Sequence, residues 1–179
     1  KKIINFTFHH LKSQNSTFID KDFENQKKIF VDYKTYEKFF EKRGIYIDQG
    51  KRAKIISYQF SKILNKKKLR IHENTSLSNE VVNLVESPNT LLCKFDKKFL
   101  SIPQEILILT MQSHQKYFPT FNDKDEITNE FLIVANKKDS KGFIKLGNER
   151  VVEARLSDAE FFWNKDKTQN LVKKVSELK

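Results

Sequence analysis

Two apolar segments separated by a polar turn constrain this chain most. Tyr117 to Phe121 and Phe131 to Asn136 carry the aromatic and β-branched residues of strands. Asn122 to Glu126 between them is a turn composition. The arrangement predicts a hairpin with a long loop. The period then changes. From Asn148 to Trp163, Val152, Leu156, Ala159 and Trp163 recur on one helical face. Strand signals followed by a helical signal point to an α+β fold, with short, mostly antiparallel strands packed against helices.

The rest of the chain carries the same mixture. Ile4, Phe6 and Phe8 alternate with Asn5 and Thr7, which predicts a half-buried strand. Phe18-Ile19 and Ile29-Phe30-Val31 read as short strands. Asp32 caps a helix over roughly 33–43, ended by Arg43-Gly44. A second helix runs from about Asp48 to Leu64 with an apolar stripe of Ala53, Ile56, Phe60, Ile63 and Leu64. Lys66-Lys67-Lys68-Leu69-Arg70 follows as a loop between helices. Ser76 or Ser78 caps a third helix, stopped by Ser87-Pro88-Asn89. Thr90 to Phe95 reads as a strand, Asp96-Lys97-Lys98 as a turn, and Pro103 opens a helix that reaches about His114. Lys165 to Lys179 begins or continues a helix. Two lobes are expected, a basic one over 1–75 and a second over 76–179.

Composition narrows the function classes. The chain has 179 residues, with 16 Phe, 5 Tyr and only 4 Gly and 3 Pro, so it can build a real core. No apolar run approaches the roughly 20 residues of a membrane helix. The single cysteine, Cys93, excludes an internal disulfide and a Cys-based zinc site, and Leu91-Leu92-Cys93 places it as a small buried hydrophobe. Four glycines at 44, 50, 142 and 147 leave no glycine-rich phosphate loop, and the four histidines never fall at i, i+4 on one helix. No catalytic residue and no metal-ligating set is identified. The formal charge is +11. Residues 1–70 hold 18 Lys and Arg against 7 Asp and Glu, whereas residues 71–179 hold 16 of each. Such an excess attracts phosphates, although a Lys-, Asn-, Ile- and Phe-rich composition also follows from A+T-rich coding.

The candidate ligand-facing residues are therefore basic. Lys66, Lys67, Lys68 and Arg70 form the densest run, either solvated or laid against an RNA backbone. Lys116 precedes Tyr117-Phe118, a cation beside aromatics that can hold RNA by charge and stacking, unless the rings belong to the core. Arg150 and Arg155 lie about 140° apart on one helix and flank its apolar stripe. Each can hold a phosphate through two parallel hydrogen bonds or enter an internal ion pair, such as Arg155 with Asp158. Asn136-Lys137-Lys138 offers a further phosphate contact at a strand end.

Three motifs in fixed order carry a resemblance. They are Ser113-His114-Gln115-Lys116-Tyr117-Phe118-Pro119, then Phe131-Leu132-Ile133-Val134-Ala135-Asn136, then Gly147-Asn148-Glu149-Arg150-Val151-Val152-Glu153-Ala154-Arg155-Leu156-Ser157-Asp158-Ala159-Glu160-Phe161-Phe162. Together with Glu80 to Pro88 upstream, this region resembles the β subunit of bacterial glycyl-tRNA synthetase. The likeness is tight over about 78–179 and looser over 1–77. Glu153 departs from it, being acidic where the family's helix would be basic.

The resemblance implies an internal fragment of a longer β chain, cut before its HD-like and anticodon-binding parts. It implies an α2β2 holoenzyme that attaches glycine to tRNA(Gly) in the cytoplasm, with ATP and Mg2+ used at the α subunit and no cofactor in this region. The partners would be the α subunit and tRNA(Gly), with no membrane. The fragment alone would be inactive, supporting tRNA binding and subunit assembly. Two other readings stay open. One is a purely structural scaffold domain without direct RNA contact, and the other an unrelated basic nucleic-acid-binding domain.

Overall fold

A computed structural model of the chain describes residues 3–19, 26–113 and 115–168. His114 and the helix expected beyond residue 168 lie outside the described residues. The chain falls into two compact units, 1–48 and 49–179. This differs from the lobes expected to divide near 75. The helix that follows residue 48 buries its apolar face with the later part of the chain, which charge alone did not reveal.

Among its described residues the first unit holds two small antiparallel hairpins and one helix. The hairpins are β1 (Thr7–Phe8) with β2 (Leu11–Lys12), and β3 (Ser16–Phe18) with β4 (Lys27–Ile29). The half-buried strand expected from Ile3 contracts to two residues. Ile4, Phe6 and Phe8 are all exposed; among the described residues each hairpin stands as a separate two-stranded pair. Helix α1 (Tyr33–Glu41) begins as expected at Asp32, whose carboxylate accepts from the Thr35 amide at 2.7 Å. Its rings Tyr36 and Phe39 pack edge-on against Phe30, and Phe40 lies tilted beside it. Gly44, at φ 77°, closes the turn after the helix in the left-handed region that glycine tolerates.

The second unit is layered. Strands β5 (Asn89–Lys94), β6 (Phe118–Phe121) and β7 (Ile127–Ala135) form an antiparallel sheet in the order β5-β7-β6. Successive side chains on a strand point to opposite faces, and here both faces are covered. Cys93, Phe131 and Ile133 join a core with Phe99, Leu107, Met111, Val152 and Leu156. Leu132 and Phe118 point the other way, into a core with Ile56, Phe60, Leu77, Val81 and Val82. Register explains the match. Cys93 opposes Phe131, Leu92 opposes Leu132, and Phe118 opposes Leu132, so paired residues enter the same core.

Helices α2 (Gln49–Lys67) and α3 (Thr75–Leu84) make the first outer layer. Helices α4 (Gln104–Ser113) and α5 (Phe143–Lys167), with a short 3-10 turn over Lys97–Ser101, make the second. Several expected boundaries move. Lys66 and Lys67 belong to the last turn of α2 rather than to a loop. Ala53 is exposed rather than part of the buried stripe. Helix α3 is capped by Asn74 rather than by Ser76 or Ser78, its side chain accepting from the Leu77 amide at 2.9 Å.

Candidate nucleic-acid interface

Helix α2 is held in one rotational setting by four inward side chains. Arg52 Nε donates to the Val82 carbonyl at 2.9 Å. The Gln59 side chain donates to the Pro88 carbonyl at 3.1 Å and accepts from the Thr90 amide at 2.8 Å. Ile56 and Phe60 are buried, and Phe60 meets Phe118 edge-on at 4.9 Å between centroids. Each of those two side chains contributes about 1.5–3 kcal/mol by leaving water. With that face fixed, the opposite one must look outward.

The outward face is cationic. Residues 49–70 contain eight Lys and Arg and no Asp or Glu, so most of the chain's excess charge lies on and just after this helix. Lys54, Lys62 and Lys66 are exposed and make no ion pair among the described residues. Lys68 ends the helix in the left-handed region at φ 55° and is also exposed. The Arg70 backbone exchanges two 2.8 Å hydrogen bonds with Phe121 at the end of β6, leaving its side chain in solvent. His72 stacks on Phe121 with centroids 3.7 Å apart and meets Asp125 at 2.8 Å. Lys67 differs from its neighbours in the run, because its Nζ lies 3.5 Å from Glu130 of β7.

The remaining candidates separate from this group. Lys116 pairs with Glu80 of α3 at 2.9 Å, and the rings after it are both core: Tyr117 enters one cluster and Phe118 the other. Asn136 accepts from the Glu86 and Ser87 amides at 2.7 and 2.8 Å, holding the end of α3 to the end of β7. Arg150 and Arg155 are exposed on α5, on the opposite layer of the sheet from α2. Neither makes an ion pair among the described residues. Helix α5 carries five basic and five acidic residues, and its outward side exposes Phe143, Leu146, Val151 and Phe161. Its charge is balanced where that of α2 is not.

Much of the motif-bearing sequence is internal bracing. The Tyr117 hydroxyl donates to Asn148 Oδ1 at 2.6 Å. Glu149 accepts from the Lys94 amide at 2.9 Å and sits 3.8 Å from Lys145. These bonds tie α5 to β5 and β6. Cys93 is buried, and burial pushes its thiol up to about 12, which disqualifies it as a nucleophile at neutral pH. Among the described residues no group of three or more His, Cys, Asp or Glu could hold a metal. A cleft of about 530 Å³ in the first unit is lined by polar groups and rings, including Gln14, Asp32, Tyr33 and Tyr36, and, among the described residues, by no basic one.

Comparison with known proteins matches this layered region and the unit before it to one family. The family model described as glycyl-tRNA synthetase beta subunit matches residues 1–179. The chain belongs to that family. A glycine–tRNA ligase beta subunit from Thermodesulfovibrio yellowstonii is 35% identical over 173 residues, covering 96% of this chain and 25% of that protein. One from Rickettsia akari is 33% identical over 178 residues, covering 99% of this chain and 27% of that protein. One from Acidovorax sp. is 48% identical over 108 residues, covering 59% of this chain and 15% of that protein. The chain thus spans about a quarter or less of the length of these relatives. The likeness over 96–99% of the chain also carries the first 77 residues, where the motifs alone were looser.

Sequence reasoning missed Lys54, Tyr58 and Lys62 as candidates. The signal was present in their four-residue spacing and in the absence of acid from 49 to 70. A charge run is contiguous in sequence, whereas an i, i+4 row becomes a surface only once the buried side of the helix is fixed.

Proposed function

We propose that this region serves the attachment of glycine to tRNA(Gly), as the part of a β subunit that supports tRNA binding and subunit assembly. The observation that carries the reading is the division of its surface. One outer layer presents Lys54, Lys62 and Lys66, which make no ion pair among the described residues, and the other a charge-balanced helix with exposed apolar side chains. A cationic surface suits a polyanion, and a neutral apolar one suits protein packing. Lys66, Lys68 and Arg70 are the tRNA contacts this reading retains from the run. Lys67 and Lys116 act mainly as internal ion pairs.

The holoenzyme in this proposal is an α2β2 assembly in the cytoplasm. ATP and Mg2+ are used at the α subunit, and this region binds no cofactor and catalyses nothing alone. No described helix is long and apolar enough to cross a membrane.

The test is glycine charging of tRNA(Gly) by the full-length parent chain mixed with its α subunit, each subunit alone serving as control. Charging is expected only in the mixture. A mixture that co-assembles and does not charge would overturn the reading.

A further inference from the structure

The outward face of α2 has a regular texture beyond its charge. Lys54, Tyr58, Lys62 and Lys66 fall at strict four-residue intervals. An i, i+4 row climbs about 6 Å per step and drifts only about 40° around the axis, so the four form one ridge along roughly 18 Å of helix. All four are exposed, Tyr58 at 69%. The adjacent ridge is Ser57, Ser61 and Asn65, small or uncharged and likewise exposed. The Ser61 hydroxyl is occupied with the Ser57 carbonyl at 2.9 Å. The side chains of Ser57 and Asn65 make no hydrogen bond among the described residues.

We propose that this ridge tracks the sugar–phosphate backbone of RNA, with Lys54, Lys62 and Lys66 on phosphates of one strand and Tyr58 stacked on an unpaired base between Lys54 and Lys62. The inference rests on the tRNA-handling reading above and assigns that role to one face. Three features favour RNA over an acidic protein surface. The cations recur along a line, as phosphates do. They lack any carboxylate neighbour on their own helix that would fix them in a protein-like ion-pair lattice. A tyrosine ring open to solvent stands within the row, and ring-on-base stacking is the commonest way a cationic groove holds a single strand. The low ridge beside it lets the strand approach the helix closely. Helix α5, with its five acidic residues, lacks this combination.

The test uses the holoenzyme assembled from the full-length chain and its α subunit, with tRNA(Gly) binding measured over a range of KCl. The variant Lys54→Gln/Lys62→Gln/Lys66→Gln should flatten the slope of log K against log salt by about 2 to 3. Tyr58→Ala should weaken binding at fixed salt by about fivefold or more, and Tyr58→Phe should not. Arg150→Gln/Arg155→Gln should leave the slope unchanged. An unaltered slope in the triple variant, with tRNA still bound, would overturn this assignment and leave the tRNA-handling reading in place. A triple variant that loses α–β assembly while the free chain keeps its RNA affinity would overturn it in favour of an acidic protein partner. Failure of the unmodified assembly to bind tRNA would overturn both.

Discussion

Tyr117 packs its ring at 5.0 Å from Phe131 and sends its hydroxyl to Asn148, whose own amide donates to the Ile144 carbonyl at 2.7 Å. One side chain thus joins the sheet to the first turns of α5. Burial, with a smaller contribution from Cys93, pushes its phenol from 10.0 up to about 12. An acid raised by folding is held neutral in the native state while the unfolded chain ionises earlier. Its stabilising contribution is therefore complete below pH 10 and is lost as the pH climbs through 12. Cys93 behaves alike, from 9.0 to about 12. Tyr117→Phe should cost about 1–2 kcal/mol at pH 7 by stranding the Asn148 oxygen. Denaturant unfolding should show that deficit shrinking between pH 10 and 12, because the variant has no phenol to titrate. A deficit constant with pH would mean the hydroxyl is not held as described.

The helices differ in how visibly their ends are written. Asp32 sits directly before α1, and its cap was legible because acceptor and amide are three residues apart. Helix α3 misled, since Ser76 and Ser78 are better advertised than Asn74, yet both lie inside the helix. Asn74 also donates to Gln112 of α4 at 3.1 Å, a contact no local pattern encodes. Helix α5 begins at Phe143, five residues before its expected start. Gly142 supplies the left-handed entry at φ 74°, and Asp139 accepts from the Ile144 and Lys145 amides at 3.2 and 2.9 Å. That carboxylate reaches the helix through a loop fold the sequence does not display. Asn74→Ala should cost about 1 kcal/mol and Asn74→Asp less, as read by thermal unfolding. Equal losses would mean the bond to Gln112, not the cap, is what counts.

The whole molecule separates what it offers to solvent. The antiparallel hairpin, the helices and the buried cysteine were legible because apolar period and turn chemistry are local. The layering was not, because it depends on register. Phe131 and Leu132 are neighbours in sequence and enter different cores, so α2 and α5 come to rest on opposite sides of the sheet. For that reason the sequence offers Lys66 to Arg70 and Arg150 with Arg155 as candidates without placing them relative to one another. They lie on opposite layers, and the α2 face sets Lys54, Lys62 and Lys66 in one row with the open Tyr58 ring on a helix without acid, whereas Arg150 and Arg155 share α5 with five acidic residues. The most direct test is photocrosslinking of tRNA(Gly) to the assembled enzyme, with the linked peptides mapped. The account predicts crosslinks within residues 51–70 and none within 143–167. Crosslinks on α5 with none on α2 would contradict it.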